Sequence, residues 1–202
     1  MTATPPTSSP DLPDKASLRR GALAARDALA ADARAGAAEA IAATDALPLL
    51  PAGTVVAGYF PIRSEVDPRP LMRRLEARGA RLVLPVVGAD GETLTFRAWR
   101  EGDSLVAAAF GLREPKADAE AIDPDVLLMP LAAFDRTGDR IGYGKGHYDR
   151  AIERLEAVMP RLKIGLAFSC QEVARVPAEA HDRPLDLILT EAGAIVPAAV
   201  TE

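Results

Sequence analysis

Aromatic side chains are scarce in this chain: one Trp, three Tyr and five Phe make up 4% of 202 residues. A surface that stacks successive bases needs more of them, which argues against single-stranded nucleic-acid binding. Positive charge is outnumbered, with 24 Lys and Arg against 29 Asp and Glu, and the formal net charge is −5. That balance disfavours nonspecific attraction to nucleic acids and anionic membranes, so neither is expected as a partner. An anionic substrate must then be held by local positive charge. Cys170 is the only cysteine, which rules out an intrachain disulfide and a multi-cysteine zinc site. It lies just beyond the apolar run Lys163–Phe168, where a buried, inert thiol is expected. No apolar run reaches transmembrane length, and the N-terminus lacks a basic-then-apolar signal pattern. A cytoplasmic protein is expected.

What is present is an ordered alternation of apolar runs and helical patterns. Residues 1–13, rich in Thr, Pro and Ser, have too little apolar content to pack and are expected to form a disordered tail. The remainder, 14–202, has the length of one domain. Leu18, Leu23, Ala25 and Leu29 suggest an amphipathic first helix with the basic residues Lys15, Arg19, Arg20 and Arg26, and a second helix is predicted from about Ala35 to Leu47. Strands are predicted over Gly53–Phe60, Arg81–Val87, Leu94–Ala98, Val126–Leu131, Lys163–Phe168, Leu185–Thr190 and Ala194–Val196. Asp90-Gly91 suggests a hairpin turn, Pro68–Arg78 a helix ended by Gly79, and Ala107–Pro115 a loop. Trp99, the sole tryptophan, is expected to pack in the core. The alternation predicts a three-layer α/β/α fold with a mainly parallel sheet and an antiparallel hairpin.

The most informative stretch follows the Val126–Leu131 strand and leads into a helix whose Ile152, Leu155 and Met159 recur at helical spacing. Between them Gly142, Gly144 and Gly146 occupy alternate positions, so the backbone is free to take positive φ and to approach a ligand closely. Successive N–H groups and a helix N-terminus suit an anion, and Arg140 and Lys145 add full positive charges. Asp149, in the first turn of the helix, is placed to hold a magnesium ion accompanying phosphates. The spacing is neither a Walker motif nor a complete dinucleotide fingerprint, and glycines alone also suit a tight turn. His147 and His181 as a zinc pair are the alternative metal reading, but magnesium better suits phosphate chemistry.

The full string P-L-A-A-F-D-R-T-G-D-R-I-G-Y-G-K-G-H-Y-D-R, from Pro130 to Arg150, resembles the signature of the 5-formyltetrahydrofolate cyclo-ligase family. Further similar pieces occur in the family's order: Lys15-x-x-x-Arg19, Tyr59-x-Pro61 with Glu65-Val66-Asp67, Gly111–Pro115, and Pro177-x-Glu179-x-His181-Asp182. One departure is His147, where the family has tyrosine. The resemblance implies the architecture shared with ribose-phosphate isomerases and coenzyme A transferases. It also implies an ATP- and magnesium-dependent conversion of 5-formyltetrahydrofolate to 5,10-methenyltetrahydrofolate, with release of ADP and phosphate. Carried over residue by residue, ATP would be bound by Lys15, Arg19, Arg140, Ile141, Gly142, Tyr143, Gly144, Lys145, Gly146, His147 and Tyr148. Folate would meet Phe60, Glu65, Tyr143, Lys145 and His147, while Asp149 and Asp182 would hold magnesium. Lys145 and Arg140 would stabilise the transferred charge. A monomer is expected. Two other readings are a noncatalytic ATP- or folate-binding relative acting as a regulator, and a sugar-phosphate isomerase, which needs no ATP.

Overall fold

Apolar segments buried on both faces are what a parallel sheet needs, and this chain supplies five that lie side by side. The computed structural model describes residues 13–108, 111–179 and 182–197. In chain order its elements are α1 (Lys15–Asp27), α2 (Ala31–Ala42), β1 (Val55–Ala57), α3 (Arg69–Ala77), β2 (Arg81–Val87), β3 (Leu94–Ala98), β4 (Leu105–Ala107) and β5 (Arg113–Pro115). There follow β6 (Val126–Pro130), β7 (Ala133–Phe134), β8 (Arg140–Ile141), α4 (His147–Glu156), β9 (Leu162–Leu166), β10 (Leu187–Thr190) and β11 (Gly193–Ile195). The main sheet has the order β11-β10-β9-β6-β1-β2-β3. Its neighbours from β10 to β2 are parallel, and β11 and β3 close the two edges antiparallel.

Successive residues of each strand serve opposite layers, as the two-residue period requires. Val56, Leu82, Leu84, Leu128, Ile164 and Leu166 pack with Ile41 of α2 and with Leu71, Met72 and Leu75 of α3. On the other face Ala57, Val83, Leu127, Met129 and Ile188 pack with Ile152 and Leu155 of α4. The expected three-layer arrangement with a mainly parallel sheet is therefore the one observed. Trp99 is buried and meets Phe60 edge to face, with ring centroids 5.5 Å apart.

Taken in chain order, the five parallel strands lie 2-1-3-4-5, so the connections leave the carboxyl ends of β1 and β6 in opposite directions. Such a divergence opens a crevice where open α/β sheets place their ligands. The loops that border it are Gly58–Pro68 after β1 and Leu131–Gly146 after β6. Helix α1 lies over the second of these, its Ala22 packed on Ala132, Ala133, Ile141 and Val176. Asp14 caps that helix by accepting from the Ser17 N–H at 2.6 Å, a bond of the kind worth about 1 kcal/mol.

Several expectations need correction. The 3₁₀ turn Ser169–Gln171 lifts Cys170 out of the apolar run, and its side chain is exposed rather than buried. In α1 the buried positions are Ala22 and Arg26, Leu18 and Leu23 are partly buried, and Ala25 is exposed. Helix α2 begins four residues earlier than predicted and ends five earlier. Met159 lies beyond the end of α4 and is half exposed, whereas Ile152 and Leu155 are buried. The predicted Ala107–Pro115 loop is flanked by β4 and β5, an antiparallel pair whose connecting residues 109 and 110 lie outside the described residues. The strand-to-glycine-loop passage also contains a hairpin, β7–β8, which short range and two-residue strands had concealed. The predicted tail falls, but for residue 13, outside the described residues, as does His181.

Candidate active site

The glycine loop is aimed by a buried carboxylate. Asp135 is 1% exposed and accepts from the N–H groups of Thr137 (2.9 Å), Asp139 (3.2 Å) and Val176 (2.7 Å), as well as from the Thr137 hydroxyl (2.6 Å). It thereby closes the β7–β8 turn and ties it to a distant segment, so that β8 delivers Arg140 and the glycines to the crevice. Gly144 and Gly146 take φ of +83° and +66°, a region any side chain with a Cβ would find strained. Gly146 also serves as the N-cap of α4, without a side-chain cap.

The loop leaves donors unused. No N–H of Gly142, Tyr143, Gly144, Gly146 or His147 donates to another group among the described residues. Such open donors beside a helix N-terminus fit an anion such as a phosphate. Arg19 reaches across from α1 and donates from Nε to the Gly142 carbonyl at 2.7 Å. Four residues earlier on the helix, Lys15 bridges Asp182 (2.7 Å) and Glu179 (2.9 Å). Burial opposes the Lys15 charge, yet the hydrogen bonds it donates to these two acids outweigh that effect and raise its pKa above the ordinary lysine value. A raised folded value means that the anchor is fully present below the unfolded pKa of 10.5 and is lost as pH rises through the folded one.

Arg140 is largely buried; it forms an ion pair with Asp149 and also donates to the Arg183 carbonyl. The two candidate magnesium ligands are thus each held by a cation, Asp149 by Arg140 and Asp182 by Lys15. Among the described residues no group of three metal-ligating side chains occurs. The donor set suits a magnesium ion carried in with phosphates, which needs only one or two carboxylates and keeps water and phosphate oxygens as its other ligands. It does not suit a resident multi-carboxylate or zinc centre among these residues.

On the β1 side Glu65 is 7% exposed and accepts from the Ile62 N–H at 2.9 Å. Burial raises its pKa above the usual carboxylate range, against the opposing effects of the Ile62 N–H, the Tyr143 hydroxyl and Arg26. A carboxyl shifted upward binds protons more readily folded than unfolded, so its contribution to stability falls as pH rises from the unfolded value of 4.5 through the folded one. Glu65→Gln is accordingly expected to gain melting temperature relative to the native protein as pH rises through that window, while losing activity. Paired thermal melts at pH 4 and pH 7 check the sign.

A model of the 5-formyltetrahydrofolate cyclo-ligase family matches residues 11–191. The chain belongs to this family. It is 34% identical over 140 residues to the 5-formyltetrahydrofolate cyclo-ligase of Escherichia coli (strain K12), a match covering 67% of this chain and 76% of that one. To the corresponding protein of Mycolicibacterium smegmatis it is 38% identical over 152 residues, covering 71% and 77%. The NMR structure of Aquifex aeolicus 5,10-methenyltetrahydrofolate synthetase superimposes with a TM-score of 0.75 at 30% identity, covering 93% of this chain and 95% of that one.

The cyclo-ligase fold brings most of the expected residues into one region. Lys15, Arg19, Arg140, Asp149, Asp182 and the glycine loop are linked directly or through one intermediary. Lys145 is exposed on that loop, and Tyr148 packs partly against the core beneath it. His147 instead faces the β2–β3 turn, where Nε2 donates to the Gly91 carbonyl at 2.9 Å, so that nitrogen carries a proton. Phe60 lies with Trp99, Arg69 and Arg113 around a cavity of about 430 Å³, the Arg69 guanidinium 5.6 Å from its ring centre. Arg26, expected only as one of the basic residues of the first helix and given no site role, belongs to the same helical stripe as Lys15, Arg19 and Ala22. Spacings of four, three and four residues put all of these on one face, a pattern the sequence itself carries.

Proposed function

We propose that this cyclo-ligase converts 5-formyltetrahydrofolate to 5,10-methenyltetrahydrofolate through phosphorylation of the formyl oxygen by ATP. The observation that carries the reading is the set of N–H donors of Gly142, Tyr143, Gly144, Gly146 and His147 left unused among the described residues, flanked by Arg19, Arg140 and Lys145 and facing the buried Glu65 loop across the crevice.

The chemical difficulty is that the oxygen of a formyl amide is a poor leaving group. Attack of that oxygen on the γ-phosphorus forms an O–P bond, breaks the bond to the β–γ bridging oxygen and releases ADP. The neighbouring folate amine then attacks the activated carbon, loses its proton, and the C–O bond breaks as inorganic phosphate departs. Phosphoryl transfer of this kind demands positioning and charge compensation more than a protein nucleophile. In this reading the loop amides, Ile141 to Tyr148, with Lys15 and Arg19 grip the triphosphate. Lys145 and Arg140 compensate the developing charge. Glu65, Phe60, Tyr143 and, at the loop's far end, His147 contact the folate. Magnesium, held by Asp149 and Asp182, would neutralise phosphate charge when bound.

Residues 14–202 act in this reading as one unit, since helix α1 at one end and Asp182 at the other both serve the loop. A cytoplasmic monomer is the form proposed. No described helix is long and apolar enough to cross a membrane.

The test is a time course of the product's near-ultraviolet absorption with purified protein, 5-formyltetrahydrofolate and Mg-ATP. Product is expected only when ATP and magnesium are both present. Product without ATP would contradict the reading, and binding of either substrate without turnover would favour a noncatalytic regulator. Asp149→Asn is expected to raise the magnesium concentration for half-maximal rate by about tenfold, the loss typical of one ligand-shell contact. An unchanged magnesium titration would remove Asp149 from that role.

A further inference from the structure

Arg26 is the bulkiest of the fully buried side chains, at 1% exposure. Removing a guanidinium from water costs several kcal/mol unless it is well paired, and here the pairing is incomplete. Nε donates to the Ser64 hydroxyl at 3.0 Å and Nη2 to the Tyr143 hydroxyl at 3.0 Å, and the guanidinium lies 5.9 Å from the Tyr143 ring centre. The carboxylate paired with it, Asp27, is 3.8 Å away and mostly exposed, and Nη1 has no partner among the described residues. A residue selected only to fill α1's buried face would be served better by an apolar side chain of similar volume.

The two hydroxyls it holds come from opposite banks of the crevice. Ser64 precedes Glu65 in the loop after β1, and Ser64 in turn donates to Asp27. Tyr143 stands in the middle of the glycine loop. One guanidinium on α1 therefore joins the helix that carries Lys15 and Arg19, the loop proposed for phosphates and the acid proposed for folate.

We propose that Arg26 is a positioning residue of the cyclo-ligase site, which fixes Ser64 and Tyr143 so that Glu65 and the glycine loop present the folate to the nucleotide. The inference rests on the reading given under Proposed function. It makes the folate half of the site depend on a residue that does not itself touch the reacting atoms. The charged and titratable groups around Glu65 are Arg26 and, through Ser64, Asp27 on α1, Tyr59 at the exit of β1, Arg63 and Asp67 on its own loop, Tyr143, and Tyr148 on α4. Loss of the Arg26 cation should move the ionisation of Glu65 further upward.

The experiment compares Arg26→Gln, Arg26→Lys and Tyr143→Phe with the native enzyme, by steady-state kinetics in each substrate and by calorimetric binding of 5-formyltetrahydrofolate. Arg26→Gln is expected to lower kcat/KM for the folate by about 10–100-fold and to weaken folate binding by at least about tenfold, with the KM for ATP changed by less than about threefold. The acid limb of its kcat/KM profile should shift to higher pH. Arg26→Lys, which restores the charge, should return that limb towards the native position. Tyr143→Phe keeps the ring and removes one anchor, so it should reproduce part of the folate defect; it serves as the deciding variant where Arg26→Gln does not fold. Native folate affinity and an unmoved acid limb in folded Arg26→Gln, or in Tyr143→Phe if it alone folds, would overturn the proposal. So would an equal loss for both substrates, which signals general loosening. Absence of turnover in the native protein would sink the underlying reaction, whereas the calorimetric comparison would still decide the role of Arg26.

Discussion

Lys145→Ala is expected to lower kcat and kcat/KM together by about 10²–10³-fold, the usual loss when one preorganised group facing transition-state charge is deleted. Lys145 sits between the two positive-φ glycines, on the exposed side of a loop whose neighbouring N–H groups are unused. An ammonium there adds little to packing, so the melting temperature should correspond to a change within about ±0.5 kcal/mol. Steady-state kinetics beside a thermal melt separates the two quantities. A native kcat would remove Lys145 from the chemistry, and a rise in the KM for ATP alone would make it a ground-state binding residue.

The second large effect is on stability. Asp135→Ala is expected to cost roughly 3–6 kcal/mol, taking the loss of two charge-assisted hydrogen bonds at about 1.5–3 kcal/mol each as the dominant part. Its Oδ2 is the acceptor for the Val176 N–H, and its Oδ1 serves the Thr137 N–H and hydroxyl and the Asp139 N–H. The carboxylate itself is 1% exposed and the Val176 N–H it accepts from is buried, so little water is at hand to replace it there. For a chain of about 200 residues such a cost lowers the melting temperature by on the order of 10 °C or more. Activity should fall as well, because β8 carries Arg140 and launches the glycine loop. Asp135→Asn, which keeps one acceptor oxygen, should lose about half as much. A denaturant melt of Asp135→Ala within about 1 kcal/mol of the native value would contradict the assigned role.

How much of this was legible beforehand depended on the range of the interactions. Strand β2 was readable to the residue, because six apolar residues, Leu82 to Val87, run without a break between Gly79 and Gly88. The core strand β6 was equally plain, since burial on both faces leaves a continuous apolar word. Helix α2 was placed less well: its Ala-rich sequence has no strong periodicity to set the ends. The pairs β4–β5 and β7–β8 have strands of two or three residues, too short to display alternation. Cys170 was misjudged because a 3₁₀ turn reverses its side chain immediately after an apolar run, and nothing in the run announces the turn.

The candidate site shows the same division. The glycine spacing and its flanking cations were evident as local pattern. What was not evident is who holds them: the Val176 N–H bound by Asp135 lies 41 positions along the chain, and the hydroxyl partners of Arg26 lie 38 and 117 positions away. Leu18 and Leu23 pack beside Ala22 on the flank of the face that meets the site, but it is the basic stripe Lys15, Arg19 and Arg26 that reaches into it. A buried arginine defies the general rule that charge stays outside, and that is why a pattern based on hydrophobicity passed over it.

Activation of the formyl oxygen itself by ATP is tested by following that atom. With 5-formyltetrahydrofolate labelled with heavy oxygen at the formyl group, the released inorganic phosphate is examined by mass spectrometry after a single turnover with Mg-ATP. The label is expected in inorganic phosphate, one atom per methenyl product. Label released to water, with unlabelled phosphate, would show that ATP hydrolysis and ring closure are separate events and would contradict that activation.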